Sequence, residues 1–141
     1  MLIYPAELTP DDNNTLLVAF PDVPEAITFG EDKAEALLMA EDALLVMLSA
    51  YMDGRQPIPE PSPLNGRPGV ALKVTAAGKI ALHNAMLAAG KRKTDLARML
   101  NLTPVLVDRL LSLHHKSRIE QIETTLAAFG KRLVVEVREA A

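Results

Sequence analysis

The sequence predicts an α+β fold in two domains, and three observations carry that prediction. Residues 1–30 alternate short apolar runs with turns rich in Pro, Asn and Asp, the pattern of strands. Residues 32–53 and 79–129 instead repeat their apolar residues at helical spacing. Residues 55–69 carry Pro57, Pro59, Pro61 and Pro63 ahead of Pro68, so this stretch is an extended connection rather than a helix. The expected architecture is an antiparallel sheet of three to four strands with one long helix on it. An all-α domain follows and ends in a short strand.

Each element has a local reason. Residues 1–8 read as a strand, with Pro5 marking an edge or a bulge. Residues 9–14 form a polar turn, and residues 15–20 (TLLVAF) a strongly apolar strand antiparallel to the first. Residues 21–25 (PDVPE) are a rigid connector and residues 26–30 a third strand. Asp32 suits a helix N-cap, with Glu35 three residues on. Leu37, Leu38, Leu44, Leu45, Met47, Leu48, Tyr51 and Met52 then form a broad apolar stripe, until Gly54 stops the helix. Residues 70–74 read as a fourth strand returning to the first sheet, which makes the Pro-rich piece an intradomain loop. A hinge is expected at residues 75–78, dividing domains 1–75 and 76–141. Residues 79–89 form an amphipathic helix ended by Gly90. Ser117 and Glu120 match a capping box for a last helix with Ile119, Ile122, Leu126 and Phe129 on its buried face. Residues 133–137 (LVVEV) read as a terminal strand with an unpaired edge. Pairing with a symmetry mate is the favoured use of that edge, over a return as a wing or to the first sheet.

Composition narrows the function classes. Met1 is followed by Pro5 and acidic residues, unlike a secretory signal. No apolar run spans a bilayer: residues 34–52 come nearest but carry Glu35, Glu41 and Asp42. Cysteine is absent, so neither a disulfide framework nor a thiolate metal site is expected. A cytoplasmic protein without membrane contact or cofactor is the expectation. The net charge of −3 conceals an asymmetry. Residues 1–75 hold four basic and twelve acidic groups, −8, whereas residues 76–141 hold eleven basic and six acidic, +5. A basic half suits phosphate backbone, and an acidic half suits a basic partner.

The basic half carries a helix-turn-helix pattern at residues 93–112. Ala97 supplies the small residue that two crossing helices need, and Leu96, Leu100, Leu102, Val107 and Leu110 would close the core beneath it. Asn101 occupies the turn, where a residue tolerant of positive φ is required. Thr103 and Pro104 open the second helix as N-cap and first residue, with Leu102 and Val107 spaced as a hydrophobic staple. The rival reading is an ordinary helical hairpin.

Two stretches carry a resemblance. Residues 16–48 hold F-P-D-x-P-E and T-x-G-x-x-x-x-E-A-L, with Phe20, Pro21, Asp22, Pro24, Glu25, Thr28, Gly30 and Glu35 at the pattern positions; residues 79–137 hold the helical half. The chain resembles the HicB antitoxin family, in the branch with a Cro/repressor-type helix-turn-helix. The resemblance implies a partial RNase H-like N-terminal domain that blocks HicA, a small basic mRNA-cleaving toxin. It further implies a C-terminal domain that dimerises, or assembles further, and represses its own operon on double-stranded operator DNA.

For DNA, the expected groove-facing residues are Thr103, Pro104, Val105, Asp108, Arg109 and Ser112. Arg109 is the candidate for bidentate guanine readout and Asp108 for accepting from cytosine. The rival role for these two is a surface pair without a reading function. Lys93, Thr94, His115, Lys116 and Arg118 are the phosphate candidates. Asp11, Asp12, Asp22, Glu25, Glu31 and Asp32 are the toxin-binding candidates. Two rival functions fit parts of the sequence. One is a stand-alone repressor whose N-terminal domain senses a ligand or protein. The other is a metal-dependent nuclease, disfavoured because Asp22 and Glu25 lie in a Pro-bounded connector and His83, His114 and His115 lack metal-ligand spacing. No catalytic or metal residue is therefore assigned.

Overall fold

A computed structural model describes residues 2–139. The chain is α+β and divides into two compact units, 2–72 and 73 onward, each described by itself.

In the first unit the opening strand is broken in two. β1 (Ile3–Pro5) pairs antiparallel with β5 (Gly69–Ala71), and β2 (Glu7–Pro10) pairs antiparallel with β3 (Leu16–Ala19). Ala6 is the joint, and its N–H turns aside to Pro68 O at 2.9 Å. Pro5 brings no N–H of its own to a ladder, so no bond from its nitrogen is lost at the break. β4 (Ile27–Gly30) pairs antiparallel with β3, giving the order β2-β3-β4.

Helix α1 (Lys33–Asp53) packs on this sheet. Asp32 caps it by accepting from the Glu35 N–H at 2.8 Å. The buried face is Ala36, Ala40, Leu44, Leu48 and Met52, a strict i, i+4 row. Leu38, part of the expected apolar stripe, is 69% exposed. The apolar content of α1 is spread nearly all round, so composition alone did not mark the contact face. Small residues mark it instead. A Cβ on Gly30 would lie 2.8 Å from Ala36 Cβ, so glycine and alanine together let the strand end meet the first helical turn. The Pro-rich stretch is fastened inside this unit: Tyr4 Oη donates to Pro59 O at 2.7 Å, and Ser62 donates to Asp22.

In the second unit, α2 (Val74–Ala88) begins five residues earlier than expected. Residues 75–78 are therefore helical rather than a hinge, and Val74 is not in a strand. Gly78, at the end of the expected hinge, is instead a helix contact, since a Cβ on it would lie 2.8 Å from Ile122 Cγ2 of α5 (Ile119–Ala127). Between these two helices run α3 (Lys93–Leu100) and α4 (Pro104–Leu110), and Leu82, Met86, Leu96, Val107, Leu110, Ile122 and Leu126 form the shared core. The cap of α5 differs from expectation: its N-cap is Arg118 without a side-chain bond, and the Ser117 hydroxyl donates to Arg109 O at 3.4 Å.

The expected C-terminal strand at residues 133–137 is absent. Leu133 packs on the core, but Val134, Val135 and Val137 are 78, 59 and 91% exposed and the backbone forms no ladder. β-branched residues favour a pleated surface only where a neighbouring strand supplies one.

Candidate functional site

The turn between α3 and α4 is built by three residues of the expected types. Asn101 takes the left-handed conformation, φ 53° and ψ 48°, and its N–H closes on Ala97 O. Thr103 Oγ1 accepts from the Leu106 N–H at 3.2 Å, and Pro104 follows in the first helical turn. Leu102 and Val107 both meet the core across that cap. At the start of α3, the Asp95 carboxylate accepts from the Arg92 N–H at 2.8 Å, and that bond holds its pKa below the ordinary carboxylate value. The backbone of both helices is thereby fixed from inside.

What this leaves outward is a polar surface. Lys93, Thr94, Thr103, Pro104, Val105, Asp108, Arg109, His115, Lys116 and Arg118 are all exposed, and Ser112 is half-buried. Val105 stands 58% exposed beside the N-terminus of α4. Asp108 does not pair with Arg109; its Oδ1 accepts from Lys93 Nζ at 3.0 Å, linking α4 to the first residue of α3. Both partners are open to water, so the link is worth about 0–1 kcal/mol and yields readily to a ligand. Among the described residues the Arg109 guanidinium has no hydrogen-bond or ion-pair partner. It is held out on a short helix with five donors unused.

One contributor was missed. Lys79 of α2 is 0% exposed, and its Nζ donates to three carbonyls, Arg109 O at 2.9 Å, Ser112 O at 2.7 Å and His115 O at 2.7 Å. Burial pushes its ammonium down to about 8, which leaves it protonated at neutral pH. A lone lysine in a helix reads as a solvated residue, so no sequence signal distinguished it.

The six candidate acids of the first unit fall into two groups. Leu16 of β3 lies opposite Pro10 of β2 and Gly30 of β4. The register therefore places Asp11, Asp12, Glu31 and Asp32 at one end of the three-stranded sheet, and Asp22 and Glu25 at the other. The second group is engaged within the fold. Asp22 accepts from the Ser62 N–H at 2.9 Å and from its hydroxyl at 2.8 Å, and Glu25 accepts from Tyr51 Oη at 2.8 Å. That bond raises the Tyr51 pKa. Asp32 caps α1, and Asp11 accepts from the Asp12 N–H at 2.8 Å. Asp12 and Glu31 are exposed, and their carboxylates have no partner among the described residues. Ile27 and Phe29, on one face of β4, are also open, at 56 and 51%. Among the described residues no group of three or more His, Cys, Asp or Glu is placed to hold a metal, and no helix is long and apolar enough to cross a membrane.

Comparison with known proteins extends this description. The sequence model of one family, HicB_like antitoxin of bacterial toxin-antitoxin system, matches residues 3–81. The chain is 37% identical to Antitoxin HicB of Escherichia coli over 131 residues, covering 92% of this chain and 95% of that protein. It is 38% identical to Antitoxin HicB 2 of Photorhabdus laumondii over 92% of each chain. It is 33% identical to Antitoxin HicB of Pseudomonas fluorescens, over 92% of this chain and 90% of that one.

Proposed function

The chain belongs to the HicB-like antitoxin family, and from that membership we propose a two-part function for it. It neutralises a small basic toxin of the HicA type through the first unit, and it represses its own operon by binding double-stranded DNA through the second. The observation that carries the division is charge. The acidic groups gather in residues 1–75 and the basic groups in residues 76–141, and partners of opposite sign follow from that. No catalytic step is assigned to either unit.

On this reading α3–turn–α4 is a helix-turn-helix with α4 in the major groove. Arg109 reads a guanine, and Asp108 leaves Lys93 to accept from a cytosine or stays with it beside a phosphate. Lys93, Lys116 and Arg118 meet the backbone. On the toxin side, Asp12 and Glu31 at one end of the sheet face the basic partner, and the open Ile27 and Phe29 supply apolar contact. The molecule acts as a homodimer or higher homo-oligomer, in which residues 133–137 gain the neighbouring strand they lack in one copy.

The test is co-expression with the small basic protein encoded beside it. Co-purification, rescue of growth from that protein's toxicity, and a shift of the chain's own promoter fragment support the function. Promoter binding without any captured protein contradicts the antitoxin half.

A further inference from the structure

We propose that Lys79 is a positioning residue for DNA recognition, one that locks the exit of α4 and the turn after it into the pose that reads the operator; this rests on the DNA-binding function above. The last turn of a helix leaves carbonyls without intrahelical partners, and the end of α4 is such a place. An ammonium has three donors and no acceptor. Here three carbonyls meet three donors, at 2.9, 2.7 and 2.7 Å, with the side chain wholly removed from water. The positive charge also lies at the negative end of the α4 dipole.

The identity of the three carbonyls matters more than their number. They belong to Arg109, Ser112 and His115, three residues whose side chains are candidates for DNA contact. They span the end of α4 and residues 111–115, which form no regular element of their own. Apart from Lys79, the bonds described at the end of α4 and across that turn are longer, the Leu111 N–H meeting Val107 O at 3.2 Å. The Ser112 N–H meets Arg109 O at 3.3 Å, the His115 N–H meets Ser112 O at 3.3 Å, and the Ser117 hydroxyl meets Arg109 O at 3.4 Å. One side chain from α2 therefore sets the relative placement of two groove-facing positions, Arg109 and Ser112, and one phosphate position, His115. An apolar replacement would leave three carbonyls turned toward a dry pocket, and they would move to find other donors.

The experiment compares the full-length chain with Lys79→Met and Lys79→Gln. Affinity is measured for the chain's own promoter duplex and for a scrambled duplex of equal length. Amide exchange is followed over residues 110–117 and 119–127. For Lys79→Met we expect promoter affinity to fall roughly tenfold or more, the factor that 1.4 kcal/mol makes. Scrambled affinity should fall less, so the ratio of the two narrows. Exchange should quicken over 110–117 and stay slow over 119–127. Lys79→Gln, which keeps two donors, should fall between. A folded Lys79→Met with the wild-type ratio and wild-type exchange over 110–117 overturns the proposal. Should Lys79→Met not fold, Lys79→Gln decides alone by the same two readings. Failure of the DNA-binding function looks different: the unaltered chain then binds neither duplex tightly, and the exchange pattern still decides whether Lys79 holds the turn.

Discussion

Asp22 and Arg109 are both charged residues of recognisable motifs, one in each unit, and the structure uses them in opposite ways. Asp22 is half-buried with its carboxylate on Ser62, and the neighbouring Glu25 accepts from Tyr51. These acids fasten the Pro-rich stretch and α1 to the connector between β3 and β4. Arg109 is exposed and its guanidinium has no partner among the described residues, although the backbone beneath it is held by Lys79 and by the Leu110 contact with the core. A charged side chain engaged inside its own unit is architecture. One presented free on a fixed backbone is available to a partner.

The strongest way to break this contrast is to unmake one unit and leave the other. Leu96 is 0% exposed in the core of the second unit. Leu96→Ala should cost about 2–5 kcal/mol by cavity formation. Promoter binding should be lost while the captured basic protein is retained, read by gel shift and by pull-down. Within the first unit, Asp22→Ala should lower stability by about 1–3 kcal/mol, since Ser62 loses a charged acceptor. Its thermal midpoint should drop with promoter affinity unchanged. Asp12→Lys with Glu31→Lys should do the reverse within the same unit, weakening toxin capture without shifting the midpoint.

A finer distinction separates reading from holding. Arg109→Ala should reduce promoter affinity by about 1–3 kcal/mol and random-duplex affinity much less. Lys93→Ala should weaken both alike and reduce the salt slope by about 1.

Alkaline pH should move two buried groups in opposite directions, and this is the smallest effect. Burial raises the Tyr4 phenol to about 12, so the unfolded chain loses that proton near 10 while the folded one keeps it. The stability that Tyr4 contributes should fall as pH rises past 10. Lys79 is lowered to about 8, so between 8 and the ordinary 10.5 the unfolded chain holds the extra proton and stability rises with pH. Melting curves of the wild type against Tyr4→Phe and Lys79→Met check the two signs.

Local chemistry made much of this legible in the sequence. Asp32 with Glu35, Asn101 in the turn and Thr103-Pro104 at a helix start each report a requirement of the residue's own backbone, and each stands as expected. Features that depend on a distant neighbour were not legible. Residues 75–78 read as a hinge until Ile122 is seen against Gly78, and nothing in the sequence marks Ala36 as a contact until Gly30 is seen against it. The strand at residues 133–137 was expected from β-branched composition, which is silent on whether a partner strand is at hand. Lys79 was invisible for the same reason, its three acceptors lying 30 to 36 residues away.

The most direct test of the division between units is a pair of variants read in two assays. Full-length chain carrying Asp12→Lys with Glu31→Lys, and full-length chain carrying Arg109→Ala, are each measured for capture of the neighbouring basic protein and for promoter binding. The first should weaken capture and leave promoter affinity unchanged, and the second should leave capture unchanged and weaken promoter binding. If either variant, still folded, loses both activities together, the two functions are not divided as proposed.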